Sequence, residues 1–74
     1  MQIIYNDEVA EYIIAMINEF ASAYKLTEHQ AFSYLKNHKA LPFIEKHYGV
    51  MHTLDFKDSV KGVANYCRRN GGKL

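Results

Sequence analysis

Apolar residues recur early in the chain at Ala10, Ile13, Ile14, Ile17, Phe20, Ala21 and Tyr24. These are the i, i+3, i+4, i+7 positions of one helical face, and they predict a first helix over residues 7–24. Asn6 stands where a cap is needed, and Asp7 and Glu8 suit the positive end of the helix dipole. Thr27 followed by Gln30 forms a capping-box pattern, in which each side chain satisfies the other residue's backbone N–H. With Ala31, Leu35 and His38 on one face, it predicts a second helix over 27–38. Pro42 fits a first helical turn and Gly49 a left-handed stop, so the third helix is read as two turns, 42–48. Val50 to Leu54 has no period and reads as a connector. Phe56, Val60, Val63 and Cys67 form a single stripe, with Asp55 as cap and Arg68 and Arg69 in the last turn, and predict a fourth helix over 55–69. Gly62 in its middle costs about 1 kcal/mol against alanine, which points to a close helix contact there. Ile3-Ile4-Tyr5 is too short for a strand and is expected to dock on the bundle.

Four helices with short connections make an all-α fold, a small four-helix bundle in one domain spanning residues 1–74. The short third helix makes that bundle irregular. At 8.6 kDa the core is small, and a deep, dry active-site cavity would consume much of it.

Charge is unevenly distributed. Asp7, Glu8, Glu11 and Glu19 meet no Lys or Arg before residue 25, whereas Lys57, Lys61, Arg68, Arg69 and Lys73 near the other end meet only Asp58. The acidic first helix and the basic last segment can attract each other or face different partners. The lone Cys67 cannot form an internal disulfide, no apolar run approaches a membrane span, and the first residues lack the pattern of a secretory signal. The expectation is a cytoplasmic protein without membrane contact.

Several stretches carry a family likeness. They are Leu26-Thr27 with Ala31-Phe32-Ser33-Tyr34-Leu35, then Leu41-Pro42-Phe43-Ile44, then Tyr48-Gly49-Val50-Met51-His52-Thr53, and finally Tyr66-Cys67-Arg68-Arg69-Asn70-Gly71-Gly72. On these residues the chain from Glu19 to Leu74 resembles a family of short bacterial proteins catalogued as domain of unknown function 3791. The Tyr-x-x-x-His-Thr stretch and the Arg-Asn-Gly-Gly end are the more specific parts. Where many members carry Gln-Gly after His-Thr, this chain has Leu54-Asp55. The resemblance brings no catalytic residues with it. Members encoded beside proteins that look like ADP-ribosyltransferase toxins imply an antitoxin-like or accessory role.

Candidate chemistry is sparse. His47, His52 and Cys67 are the one metal-like set, but Cys67 lies on the apolar stripe of the fourth helix and has no second cysteine. No metal site is expected, and His52 is expected instead to hydrogen-bond backbone and order the loop around it. A Cys67–His52 dyad fails for the same reason, since burial makes a thiol inert. No glycine-rich phosphate loop, cofactor or small-molecule substrate is implied, and an enzyme fits least. Lys57, Lys61 and Arg68, with Arg69 beside them, make a basic face for nucleic acid, and the second and third helices can be drawn as a helix-turn-helix. The third helix offers only Lys46, however, and the net charge is +1, far from a strongly basic module.

A protein-interaction module fits best. On the first helix, Ile13, Ile17, Phe20, Ala21 and Tyr24 fall in one arc at about 100° per residue, whereas Tyr12, Met16 and Ala23 fall outside it. Those three are expected to form a contact surface for a second copy or a foreign protein.

The capping box yields a first test. Thr27→Ala is expected to lower stability by about 0.5–2 kcal/mol in urea denaturation while leaving association unchanged. A neutral substitution would mean that the second helix starts elsewhere.

Overall fold

The computed structural model describes residues 7–74. The expected cap at Asn6 and the docking of Ile3-Ile4-Tyr5 lie outside the described residues. The helices are α1 (Asp7–Tyr24), α2 (Glu28–Asn37), α3 (Ala40–Met51) and α4 (Phe56–Arg69). Among the described residues there is no strand, and the fold is all-α. α1 packs against each of the other three helices, and α3 packs against both α2 and α4.

The core is a layer of mostly aliphatic side chains around α1. Val9, Ile13, Met16 and Phe20 face inward at alternating four- and three-residue steps and meet Leu35, Ile44, Val63 and Cys67. Met16 is fully buried, which corrects its placement on the outer surface. The arc read from the sequence was centred too far round the helix. α1 is flanked on two sides, so its buried sector is wider than one stripe and is centred on Met16 and Phe20. Ile14, read as part of the buried face, is exposed.

α2 begins as expected. The Thr27 hydroxyl accepts from the Gln30 N–H at 3.0 Å, and the Gln30 side chain accepts from the Thr27 N–H at 2.9 Å. α3 is longer than the 42–48 expected. It starts at Ala40, directly after Lys39 turns the chain in left-handed geometry at φ 66°. It also runs through Gly49 and Val50 to Met51. Gly49 does not stop it, because Ile44 and Met51, two turns apart, are both buried and hold the helix onto the core. Asp55 occupies the N-cap position of α4 but makes no side-chain cap bond. Its backbone carbonyl instead accepts from the N–H groups of Asp58 and Ser59, both at 3.1 Å.

The Asn-Gly-Gly end closes the fold on itself. Gly71 adopts φ +92°, which L side chains rarely take. The Gly71 N–H then donates to the Arg68 carbonyl at 3.2 Å, and the Gly72 N–H reaches back to Cys67 at 2.8 Å. These two bonds are a Schellman stop. A Cβ on Gly72 would collide with the Tyr34 hydroxyl of α2 and crowd the Cys67 carbonyl. The tail continues over α2, where the Leu74 N–H donates to Tyr34 Oη at 3.1 Å and His38 Nδ1–H donates to the Asn70 carbonyl at 3.2 Å.

Gly62 contrasts with this. It is exposed, and a Cβ there would meet nothing within 4 Å, so the close helix contact expected at this position is absent. Gly62→Ala is therefore expected to stabilise the protein by about 0.5–1 kcal/mol, and Gly72→Ala to destabilise it by about 1–3 kcal/mol. Parallel thermal melts of the two variants check both signs. Equal effects would remove the distinction drawn between the two glycines.

Candidate functional site

The stretch Tyr48-Gly49-Val50-Met51-His52-Thr53 turns out to be a helix terminator. The last carbonyls of a helix have no partner within it. Here Tyr48 O accepts from the His52 N–H at 3.0 Å and from His52 Nδ1–H at 2.9 Å. The His52 ring stacks on Tyr48 with centroids 4.6 Å apart. Val50 O accepts from Thr53 Oγ1 at 2.6 Å and from the Thr53 N–H at 3.1 Å. Met51 O accepts from the Leu54 N–H at 3.0 Å and from Tyr12 Oη and Ser59 Oγ, each at 3.3 Å. His52 thus bonds backbone, as expected, but the carbonyl belongs to the end of α3 and not to a separate loop.

Cys67 is fully buried, and that burial pushes its thiol up to about 11, against a smaller opposing pull from Arg68. A neutral thiol in an apolar setting is a poor nucleophile. Among the described residues no three His, Cys, Asp or Glu side chains come together in a metal-binding group.

Tyr12 is not a free surface residue. Its ring stacks on Phe56 at 5.3 Å and meets Tyr48 edge-on at 5.5 Å. With Met16 buried, the expected Tyr12–Met16–Ala23 contact surface does not exist in that form, and Ala23 alone of the three is exposed. Lys57, Lys61, Arg68 and Arg69 are all exposed. Lys57, Lys61 and Arg68 share a face at about 100° per residue, and Arg68 donates to Asn65 beside it. Arg69 points elsewhere around the helix. On α3, Ile44 is buried and Phe43 stacks on Tyr66 at 4.0 Å. Lys46 and His47 are the exposed polar residues near the middle of that helix.

Two of the expected sets meet in one place. A surface groove of about 410 Å³ runs between the second half of α1 and the first half of α4. Glu19 and Ala23 stand on the α1 wall, and Lys57 and Lys61 on the α4 wall. Tyr24, Phe56 and Val60 supply the apolar lining. Val60 is buried and Tyr24 and Phe56 half-buried, while Glu19, Ala23 and both lysines are exposed. The lining is therefore apolar below and charged at the rims. Among the described residues neither Glu19 nor the two lysines forms an ion pair. Because the groove is an open surface feature, it costs the core nothing. Phe56 and Val60 were read only as core stripe. Lys57 and Lys61 each follow one of them in sequence, so a groove floored by the first pair is rimmed by the second.

The family model described as "Protein of unknown function (DUF3791)" matches residues 11–70, a span that contains the whole groove and the α3 terminator. No curated protein and no solved structure matches the chain. No helix among the described residues is long and apolar enough to cross a membrane.

Burial of Cys67 sets an expectation for its chemistry. The native thiol should react with a thiol reagent far more slowly than in denaturant. Cys67→Ala should keep the fold at a cost of about 1–2 kcal/mol. Because burial raises the folded thiol from its ordinary 9.0 to about 11, its contribution to stability is intact below pH 9.0 and is lost as pH rises toward 11. Cys67→Ala should flatten that part of the alkaline melting curve. Rapid labelling of the native protein would contradict the burial.

Proposed function

We propose, for a chain that belongs to the DUF3791 family of proteins of unknown function, a role as a protein-interaction module that engages its partner through the α1–α4 groove. The observation behind this reading is the pairing of an apolar lining with rim charges that have no partner among the described residues. A contact surface gains from burying apolar area at its centre and from matching charge at its edge. The reading gives the chain no catalytic step and no cofactor. The side chains that a reaction would recruit have structural uses, Cys67 in the core and His52 at the end of α3.

The finer role implied by the family resemblance is that of an antitoxin-like or accessory subunit beside an ADP-ribosyltransferase-like protein, inside the cell. Such a role needs a module of this kind, and co-expression with a protein of that class encoded alongside tests it. Nucleic acid is the competing ligand for the exposed Lys57, Lys61 and Arg68 stripe. That stripe is short, and α3 brings little basic charge to support it.

Ala23 gives a clean probe, because it is exposed on the groove wall. Ala23→Arg is expected to keep the helical circular dichroism and melting temperature while weakening association about tenfold or more, read by light scattering and co-purification. Association equal to that of the parent chain would remove the groove from the proposal. A gel shift on random duplex that is lost in Lys57→Gln, Lys61→Gln would favour nucleic acid instead.

A further inference from the structure

We infer that the occupant of the α1–α4 groove is a second copy of this chain, held across a two-fold axis; the inference rests on the interaction-module reading and names its partner. The two rims carry opposite charge, Glu19 on α1 and Lys57 with Lys61 on α4. A uniformly acidic partner would be repelled at Glu19, and a uniformly basic one at the lysines. A partner that fits both rims must present acid and base in the reverse order across the groove.

This chain supplies such a surface. A two-fold axis running along the groove exchanges its two walls and places Glu19 of each copy against the lysines of the other, so one pairing is made twice. Glu8 and Glu11 are also exposed on α1 and Arg68 on α4. Glu8, Glu11 and Glu19 make no ion pair among the described residues. Both sets are therefore available to a neighbour. The half-buried rings of Tyr24 and Phe56 and the exposed Ala23 give the centre of the interface apolar area to bury.

Charge reversal with rescue tests the arrangement. Sedimentation equilibrium of the full chain is expected to show a dimer at low salt that weakens as salt rises, since rim charges are screened. Glu19→Lys alone, and Lys57→Glu with Lys61→Glu alone, should each raise the dissociation constant by about tenfold or more. Both variants change exposed residues, and an acid at position 57 suits the first turn of α4, so circular dichroism should show folded proteins. Mixing the two variants restores attraction at both pairings and should recover a heterodimer near the parent affinity. A parent chain that stays monomeric, or a mixture that fails to recover, overturns the second-copy proposal. If Ala23→Arg still abolishes capture of a foreign protein in that case, the interaction-module reading survives. If a dimer forms but ignores both Ala23→Arg and the charge reversals, the groove is not its interface and both readings fall.

Discussion

The carbonyl of Met51 is the point at which α1, α3 and α4 are joined. It is one of the carbonyls that the end of α3 leaves without an intrahelical partner, and such groups cannot remain unpaired where water is excluded. Three donors converge on it, from the Leu54 backbone, the Tyr12 hydroxyl of α1 and the Ser59 hydroxyl of α4. Bonds from 39 and 8 residues away thus end on one atom. The stacking of Tyr12 on Phe56 and its edge contact with Tyr48 follow from the same placement. α1 and α4 are thereby held together at Tyr12 and Phe56, and the groove lies alongside that contact, with Phe56 shared between them.

The family-like segments acquire a physical reason from this architecture. Tyr-x-x-x-His-Thr satisfies the carbonyls at the end of α3, and Asn-Gly-Gly does the same at the end of α4. In a chain with a small core, helix ends are a large share of the backbone, and their satisfaction weighs correspondingly more in specifying a single fold. The residues most easily mistaken for a reactive set, His52 and Cys67, belong to this structural economy. The groove with an apolar lining and charged rims lies elsewhere, between α1 and α4.

What could be read from the sequence was what depends on neighbours along the chain. The Thr27–Gln30 box needs only a three-residue spacing, and the α4 stripe only the helical period. The end of α3 differs from the local reading because Gly49 is a local stop signal, whereas the continuation to Met51 is held by burial of Ile44 and Met51 and by bonds from Tyr12 and Ser59, which lie outside α3. Met16 was misplaced for a related reason. Helical periodicity shows that a face is buried but not how wide it is, and the width depends on how many helices surround α1. The groove was out of reach of any one-helix pattern. Its walls come from Glu19 and Ala23 on one element and Lys57 and Lys61 on another, and only the tertiary fold sets them side by side.

The tail has a consequence for how the chain is presented to its surroundings. With the Leu74 N–H bonded to Tyr34 Oη, the backbone leaves the bundle along α2, a helix that contributes nothing to the groove lining. The last residues thus lie against α2 and leave the α1–α4 groove uncovered. Tyr34, by its bond to Leu74 and its close approach to Gly72, fixes that path.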